Sequence, residues 1–247
     1  MIAADLALAL DPVQLSRAIG IDPDPWQAEL LRSTAPRQLL NCSRQSGKST
    51  TVALLAMHGA IYEPATLQLL LSPTLRQSGE LFKKCAAVYR AMGRPVAPES
   101  ETALTLSLEN GSRIVSLPGK ENTVRGYSGV RRLIVDEAAR VANDLYLSVR
   151  PMLAVSGGQL IALSTPFGNR GWWYDAWVSH EPWQRYEVPA TMCPRIPPAF
   201  LDEERRTLGE WWFNQEYLCE FMDAQSQAFR REDIERAFLE DTESWAL

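Results

Sequence analysis

Residues 38–55 read QLLNCSRQSGKSTTVALL, and three patterns follow one another in this segment. Residues 38–41 (QLLN) predict a strand that runs into the following loop, and the apolar side chains that recur at intervals of three and four residues after position 51 predict a helix. Between them, residues 47–50 (GKST) form the end of a phosphate-binding loop, G-x-x-x-x-G-K-[ST]. Such a loop directs backbone N–H groups and a lysine at phosphate oxygens, and its hydroxyl ligates Mg²⁺. Cys42 replaces the first glycine of this motif, so the GKS tripeptide alone is a weak signal.

Apolar runs alternate with helical patterns along the chain. Three short apolar runs are each followed by polar residues: 67–71, 133–135 and 160–163. A long helical pattern from about residue 74 to 91 separates the first two runs, and this alternation predicts an α/β fold with a mostly parallel central sheet flanked by helices. The dipeptide Asn110-Gly111 lies between two alternating segments and predicts an antiparallel hairpin inserted in that sheet.

The composition is that of an ordinary globular protein, with 46% hydrophobic and 22% charged residues among 247. The apolar stretch 2–10 contains Asp5 and is far shorter than the roughly 20 residues of a membrane span, so we expect neither a signal peptide nor a membrane anchor. Four scattered cysteines and two histidines lack the spacing of a zinc site and indicate a reduced, cytosolic setting. The net charge is -5, yet residues 32–132 hold 14 basic and 6 acidic residues. That excess suggests either a polyanionic partner or an uneven surface charge.

A pair of carboxylates follows the second of these predicted strands, because Asp136 and Glu137 come directly after Val135. A carboxylate at a strand end can bind Mg²⁺, and one beside it can orient and deprotonate an attacking water. Acidic residues also favour the first turn of a helix, which is the alternative explanation for the pair. Because the phosphate-binding loop occurs in the same chain, we favour a site for nucleotide hydrolysis.

Two further polar segments fit such a site. Ser164 and Thr165 end another predicted strand, where their hydroxyls could lie near the γ-phosphate, although Ser-Thr-Pro sequences also form turns. Gln27 lies ahead of the loop, and its amide can donate to and accept from an adenine edge. On a surface helix the same glutamine would be an ordinary polar residue.

In order and spacing, these motifs resemble one family, the large terminase subunit, which is the genome-packaging motor of tailed bacteriophages. The resemblance covers nearly the whole chain and rests on Trp26-Gln27, 43–49, Arg125-Gly126 with 133–139, 164–168 and 213–221. It implies a P-loop NTPase of the additional-strand (ASCE) class that binds ATP and Mg²⁺ and hydrolyses ATP. A replaced first glycine is common in that family, which removes the doubt raised by Cys42.

The resemblance also implies residue roles. Gln27 would read adenine, Arg44 would sense or stabilise the γ-phosphate, and Glu137 would be the catalytic carboxylate, assisted by Lys48. The implied Mg²⁺ ligands are Ser49 and Asp136. The implied nucleotide-binding residues are Gln27, Ser43, Arg44, Gln45, Ser46, Gly47, Lys48, Ser49 and Thr50. Ser164 and Thr165 would form the motif that couples hydrolysis to movement. Family members also use an arginine of the neighbouring subunit, for which the candidates are Arg113 and Arg125.

The implied partners are double-stranded DNA, the portal protein and the small terminase subunit. The chain would be monomeric in solution and would assemble as a ring on the procapsid, in the host cytoplasm. Four basic residues on the predicted long helix could contact DNA or a neighbouring subunit, or form a solvated face: Arg76, Lys83, Lys84 and Arg90. Two other functions stay open. One is a DNA helicase or another duplex translocase, and the other is a nucleotide-gated binding or scaffolding protein without useful turnover, against which Glu137 argues.

The composition changes beyond about residue 170, where seven of the eight tryptophans lie. We expect residues 1–170 to form the ATPase core and residues 171–247 to form a helical lid or linker. One helical stripe of that lid would contain Leu208, Trp211, Leu218 and Met222. No apolar strand ending in aspartate follows Thr165, so we expect no metal-dependent nuclease domain. The chain is thus expected to be an isolated motor domain that does not cleave plasmid DNA.

Overall fold

The computed structural model describes residues 2–119 and 126–223, where one eight-stranded sheet is packed against helices on both faces. The strands are β1 (Arg37–Cys42), β2 (Leu67–Ser72), β3 (Pro98–Glu101), β4 (Thr105–Leu108), β5 (Arg113–Pro118), β6 (Val130–Asp136), β7 (Gln159–Ser164) and β8 (Gln184–Val188). The helices are α1 (Ile2–Leu10), α2 (Pro12–Ala18), α3 (Pro25–Arg32), α4 (Lys48–Tyr62), α5 (Leu75–Ala91), α6 (Asn143–Val149), α7 (Gly171–Val178) and α8 (Pro198–Tyr217). Within these ranges, no helix has both the length and the apolar character needed to cross a bilayer. The predicted α/β class is confirmed.

The sheet is mostly parallel, with the strand order β3-β4-β5-β2-β6-β7-β1-β8. The six strands from β5 to β8 in this order run parallel, and β4 and β3 join one edge in antiparallel fashion. The β4–β5 pair is the predicted hairpin, and β3 extends it by a strand that the sequence pattern did not indicate. One strand, β7, separates β1 from β6, which is the arrangement after which the additional-strand class is named. The segments that follow β1, β6 and β7 therefore meet at one edge of the sheet.

The central strands are buried on both faces. Leu70 and Ile134 belong to a core formed with α4 and α5, whereas Leu69 and Val135 belong to a second core formed with α6 and α7. Neighbouring residues of a strand point to opposite faces, so a strand covered on both sides is apolar throughout. This explains why the sequence shows nearly continuous apolar runs here, interrupted in β2 only by the buried Gln68.

The segment after residue 170 differs from the expected helical lid, because it contains β8. This strand pairs in parallel with β1, with Gln184 opposite Gln38 and Val188 opposite Cys42. Buried Tyr186 and Val188 flank an exposed glutamate on a five-residue strand at the sheet edge. A short edge strand that carries polar residues gives a much weaker pattern than a central strand. Residues on both sides of position 170 thus contribute to the same sheet.

The expected apolar stripe of the lid is also wrong, because α8 is interrupted at Gly209, where φ is 76° and ψ is 162°. Leu208 is 38% exposed just before this kink. Leu218 and Met222 follow the end of the helix at Tyr217. A residue with positive φ changes the helix direction, so residues on its two sides do not share one helical face.

Candidate functional site

The loop between β1 and α4 ends at Gly47, which caps the amino end of α4. Gln45 and Gly47 have positive φ, of 61° and 90°. A Cβ atom at Gly47 would lie 2.7 Å from Nε2 of Gln27, so glycine meets both a conformational and a steric requirement. The first N–H groups of a helix lack intrahelical acceptors, and this loop therefore ends at an anion-binding helix terminus. Ser49 and half-buried Thr50 lie in the first turn of this helix.

Lys48 is buried beneath the loop, with an exposed fraction of 8%. Its Nζ donates to the carbonyl oxygen of Ser43 at 3.3 Å, and the same carbonyl accepts from Oγ of Ser46 at 3.0 Å. Among the described residues, no carboxylate forms an ion pair with this ammonium. A buried cation that forms no direct ion pair is electrostatically prepared for a bound anion.

Ser49 connects the loop to the end of β6. Its Oγ donates to Oδ2 of Asp136 at 3.3 Å. Burial raises the pKa of the Asp136 carboxyl above its ordinary value, and the adjacent Glu137 raises it further, while Lys48 lowers it. The two expected Mg²⁺ ligands are thus in direct contact, although they lie 87 positions apart in the chain.

Glu137 has a left-handed backbone, with φ 52° and ψ 42°. Its N–H donates to Oδ1 of Asp136 at 3.0 Å, and its Oε2 lies 3.6 Å from Nε of Arg140. A short 3₁₀ turn, Ala138–Arg140, follows in place of an α-helix. Left-handed conformations are costly for residues other than glycine and concentrate at functional sites. This geometry favours the catalytic explanation of Glu137 over the helix-start alternative.

A cavity of about 540 Å³ collects the candidate residues at the carboxyl edge of the sheet. It is lined by Arg44, Gln45, Lys48, Gln77, Glu137, Arg140 and Thr165. Thr165 follows β7 and is 3% exposed, and Oγ of the adjacent, buried Ser164 has no hydrogen-bond partner among the described residues. The loop, Glu137 and the residue that follows β7 therefore surround one space.

The Gln27 side chain contacts the loop. Its Oε1 accepts from the N–H of Asp24 at 2.9 Å, and its Nε2 donates to the Ser46 carbonyl at 3.3 Å. Arg195 forms an ion pair with Asp24 at 2.6 Å and also donates to the Ser46 carbonyl at 3.3 Å. In this arrangement the amide of Gln27 supports the loop backbone, and its contact with adenine stays a prediction.

Arg44 forms an ion pair that the sequence did not reveal. Its Nε donates to Oε2 of Glu216 at 2.6 Å, and hydrogen bonding to this carboxylate raises the pKa of the Arg44 guanidinium. Glu216, Arg140, Gln77 and Arg195 are the residues near the loop to which sequence reasoning gave no role. Glu216 lies in residues 213–221, one of the segments that carried the family resemblance, and this resemblance was the indication in the sequence that the residue has a role.

The remaining candidates are Arg113, Arg125 and the four basic residues of α5. Arg113 is exposed at the first position of β5, which is at the amino edge of the sheet, and Arg125 lies outside the described residues. The four basic residues of α5 are all exposed, and Lys83 pairs with Glu80 at 2.8 Å. Their contacts with DNA or a second subunit stay predictions.

Comparison with family models matches residues 39–236 to the family described as "Terminase large subunit, T4likevirus-type, N-terminal". The chain belongs to the large terminase subunit family. The curated large terminase subunit of Thermus phage G20c is 25% identical over 259 residues, covering 87% of this chain and 52% of that protein. The chain thus spans about half the length of this curated relative.

Solved large terminases share the fold. The large terminase ATPase domain of Thermus phage P74-26 aligns with a TM-score of 0.74 and 22% identity, covering 84% of this chain and 97% of that domain. A large terminase from a thermophilic bacteriophage, in complex with ADP, aligns with a TM-score of 0.66 and 12% identity, covering 81% of this chain and 54% of that one. The predicted family and the P-loop NTPase fold are both confirmed.

Proposed function

We propose that this chain is an ATP-hydrolysing motor domain that drives double-stranded DNA into a viral procapsid. The observation that carries the proposal is the 3.3 Å contact between Ser49 Oγ and Asp136 Oδ2. It joins the first turn of α4, which follows the phosphate-binding loop, to the end of β6, beside the cavity that Lys48 and Glu137 line. A protein that only bound nucleotide would not need Glu137 in a strained conformation beside that contact.

The residues of the cavity fit a nucleoside triphosphate with Mg²⁺. Lys48 offers a buried ammonium with no carboxylate ion pair among the described residues, and the buried hydroxyl oxygen of Ser164, at the end of β7, has no hydrogen-bond partner among them. Ser49 and Asp136 supply the hydroxyl and carboxylate oxygens that Mg²⁺ prefers. When bound, the metal would neutralise charge on the β- and γ-phosphates.

The chain's own residues then have distinct tasks. Lys48 and the N–H groups at the start of α4 bind phosphate oxygens. Glu137 orients a water and accepts its proton as the water attacks the γ-phosphorus, which breaks the bond to the β–γ bridging oxygen and releases ADP and phosphate. Arg44 stabilises charge on the γ-phosphoryl oxygens. Thr165 follows β7 at the cavity wall, where it contacts the region from which the γ-phosphate departs and couples that loss to movement.

Two isosteric variants test the hydrolytic site. Glu137→Gln should keep ATP binding and lower kcat by ~10²-fold or more, because an amide cannot accept the proton of water. Glu187→Gln, an exposed change on β8, serves as the matched control and should leave kcat unchanged. Lys48→Ala should abolish ATP binding. Full hydrolysis by Lys48→Ala would remove the site assignment.

The DNA-packaging part of the proposal needs a separate measurement. We expect slow ATP hydrolysis by the chain alone, in monomeric form, because an arginine from a neighbouring subunit would complete the site. The rate of ATP hydrolysis should increase when duplex DNA, the small terminase subunit and portal-bearing procapsids are added. We propose that the same assembly forms in the cytoplasm of the infected host. Strand separation of duplex DNA by the purified chain would instead indicate a helicase.

A further inference from the structure

Glu216 is a buried carboxylate held between Arg44 and Arg140, two arginines that line the nucleotide cavity. Its side chain is 7% exposed. Oε2 accepts from Nε of Arg44 at 2.6 Å, and Oε1 lies 4.0 Å from Nη2 of Arg140. A carboxylate has two oxygens and can therefore bind two guanidinium groups at once.

The backbone around Glu216 is fastened to the carboxyl end of β1. The N–H of Arg44 donates to the Glu216 carbonyl at 3.1 Å, and Nδ2 of Asn41 donates to the Cys219 carbonyl at 2.8 Å. Phe213 and Tyr217 on either side of Glu216 are buried in the core. These contacts fix the position of the carboxylate relative to the loop.

The ion pair leaves the terminal nitrogens of Arg44 available. Only Nε bonds to Glu216, and the Arg44 side chain is 60% exposed at the cavity that Lys48 and Glu137 also line. A guanidinium anchored through Nε can still present both Nη groups to a phosphoryl group in its fork geometry.

Arg140 extends the contacts of Glu216 to two other parts of the site. Its Nε lies 3.6 Å from Oε2 of Glu137. Its guanidinium lies 4.2 Å from the ring centre of Phe167, a residue of the segment that follows Ser164 and Thr165. Arg140 therefore contacts the candidate catalytic carboxylate and the end of the β7 segment together.

We propose that Glu216 is a positioning residue, which aims Arg44 at the γ-phosphate and, through Arg140, fixes the side chain of Glu137. The proposal rests on ATP hydrolysis as the proposed function. Glu216 itself touches no reacting atom. Its expected contribution is to turnover, because misplacing catalytic groups by about 1 Å can lower rates by roughly 10²-fold.

The first test is Glu216→Gln, with kcat, KM and Tm measured for each variant. The amide has one acceptor oxygen and can satisfy only one of the two arginines, so kcat should fall by ~10-fold or more while KM changes by less than about threefold. The matched control is Glu204→Gln on the same helix, whose carboxylate accepts from the Tyr217 hydroxyl and contacts neither arginine. That control should keep the parental kcat.

The second test is a double-variant cycle with Arg44→Ala. The part of the Glu216 effect that passes through Arg44 is already lost in this background, so Glu216→Gln should lower kcat by a smaller factor in Arg44→Ala than in the parental chain, since contacting residues are not additive. The proposal is overturned if the double variant loses the product of the two single-variant factors in kcat, or if Glu216→Gln keeps the parental kcat. Arg140→Ala should likewise lower kcat at constant KM. If Glu216→Gln does not fold, an unchanged kcat in Arg140→Ala overturns the proposal. A parental chain without ATPase activity would instead refute the proposed function.

Discussion

Gly47→Ala tests whether the loop geometry controls both stability and nucleotide binding. The backbone at Gly47 has φ 90°, and an added Cβ would lie 2.7 Å from Nε2 of Gln27. A side chain in the left-handed region costs roughly 1–2 kcal/mol. The Gln27 amide cannot simply move aside, because it bonds the N–H of Asp24 at 2.9 Å and the Ser46 carbonyl at 3.3 Å. Each of these bonds is worth about 0.5–1.5 kcal/mol.

A second glycine supplies the matched control. Gly93 has φ 74°, and no atom lies within 4 Å of the position of an added Cβ. Gly93→Ala should therefore show only the backbone cost of roughly 1–2 kcal/mol, whereas Gly47→Ala should lower the free energy of unfolding by about 2–4 kcal/mol. Urea denaturation measures both values.

The same two variants separate folding from binding. Gly47→Ala should weaken the affinity for a fluorescent ATP analogue by ~10-fold or more, because the shifted loop misplaces its N–H groups, and Gly93→Ala should bind normally. The reasoning is refuted if Gly47→Ala and Gly93→Ala lower the free energy of unfolding by the same amount and Gly47→Ala keeps the parental affinity for the ATP analogue. The loop would then tolerate a side chain where the structure leaves no space for one.

Three further predictions concern helix packing, the loop arginine and a buried thiol. An alanine methyl group at Gly79 on α5 would enter open space, so Gly79→Ala should stabilise the fold by about 1 kcal/mol. Gly59→Ala should destabilise it by roughly 1–3 kcal/mol, because its methyl group would overlap Arg132 Nη1. Changes of the same sign in the free energy of unfolding of the two variants would contradict this. Arg44→Ala should lower kcat by ~10-fold or more and ATP affinity by less than about threefold, and parental kinetics would make it an ordinary loop charge. Burial raises the pKa of the Cys42 thiol to about 12, so a thiol reagent at pH 8 should label this cysteine only after unfolding.

Some of the site follows from local sequence alone. The loop before α4 is specified within a few residues, because a strand, a glycine with positive φ and a helix start place N–H groups and Lys48 together without help from the rest of the chain. Asp136 and Glu137 are equally local, since a buried parallel strand ends where its apolar run ends. The parallel order of such strands then predicts that these two motifs meet at one edge.

Other features depend on contacts between distant residues. Arg44 and Glu216 are 172 positions apart, and nothing in either local pattern indicates that one neutralises the other. The amide of Gln27 could equally face solvent or a base, and only the packing of α3 against the loop directs it to the Ser46 carbonyl. β8 was not predicted because its five residues are too short and too polar to give a clear strand pattern, and only the pairing with β1 identifies it as a strand. Local periodicity predicts the central strands and the long helices α4 and α5, whereas the partners of a charged or amide side chain depend on which surfaces the completed fold brings together.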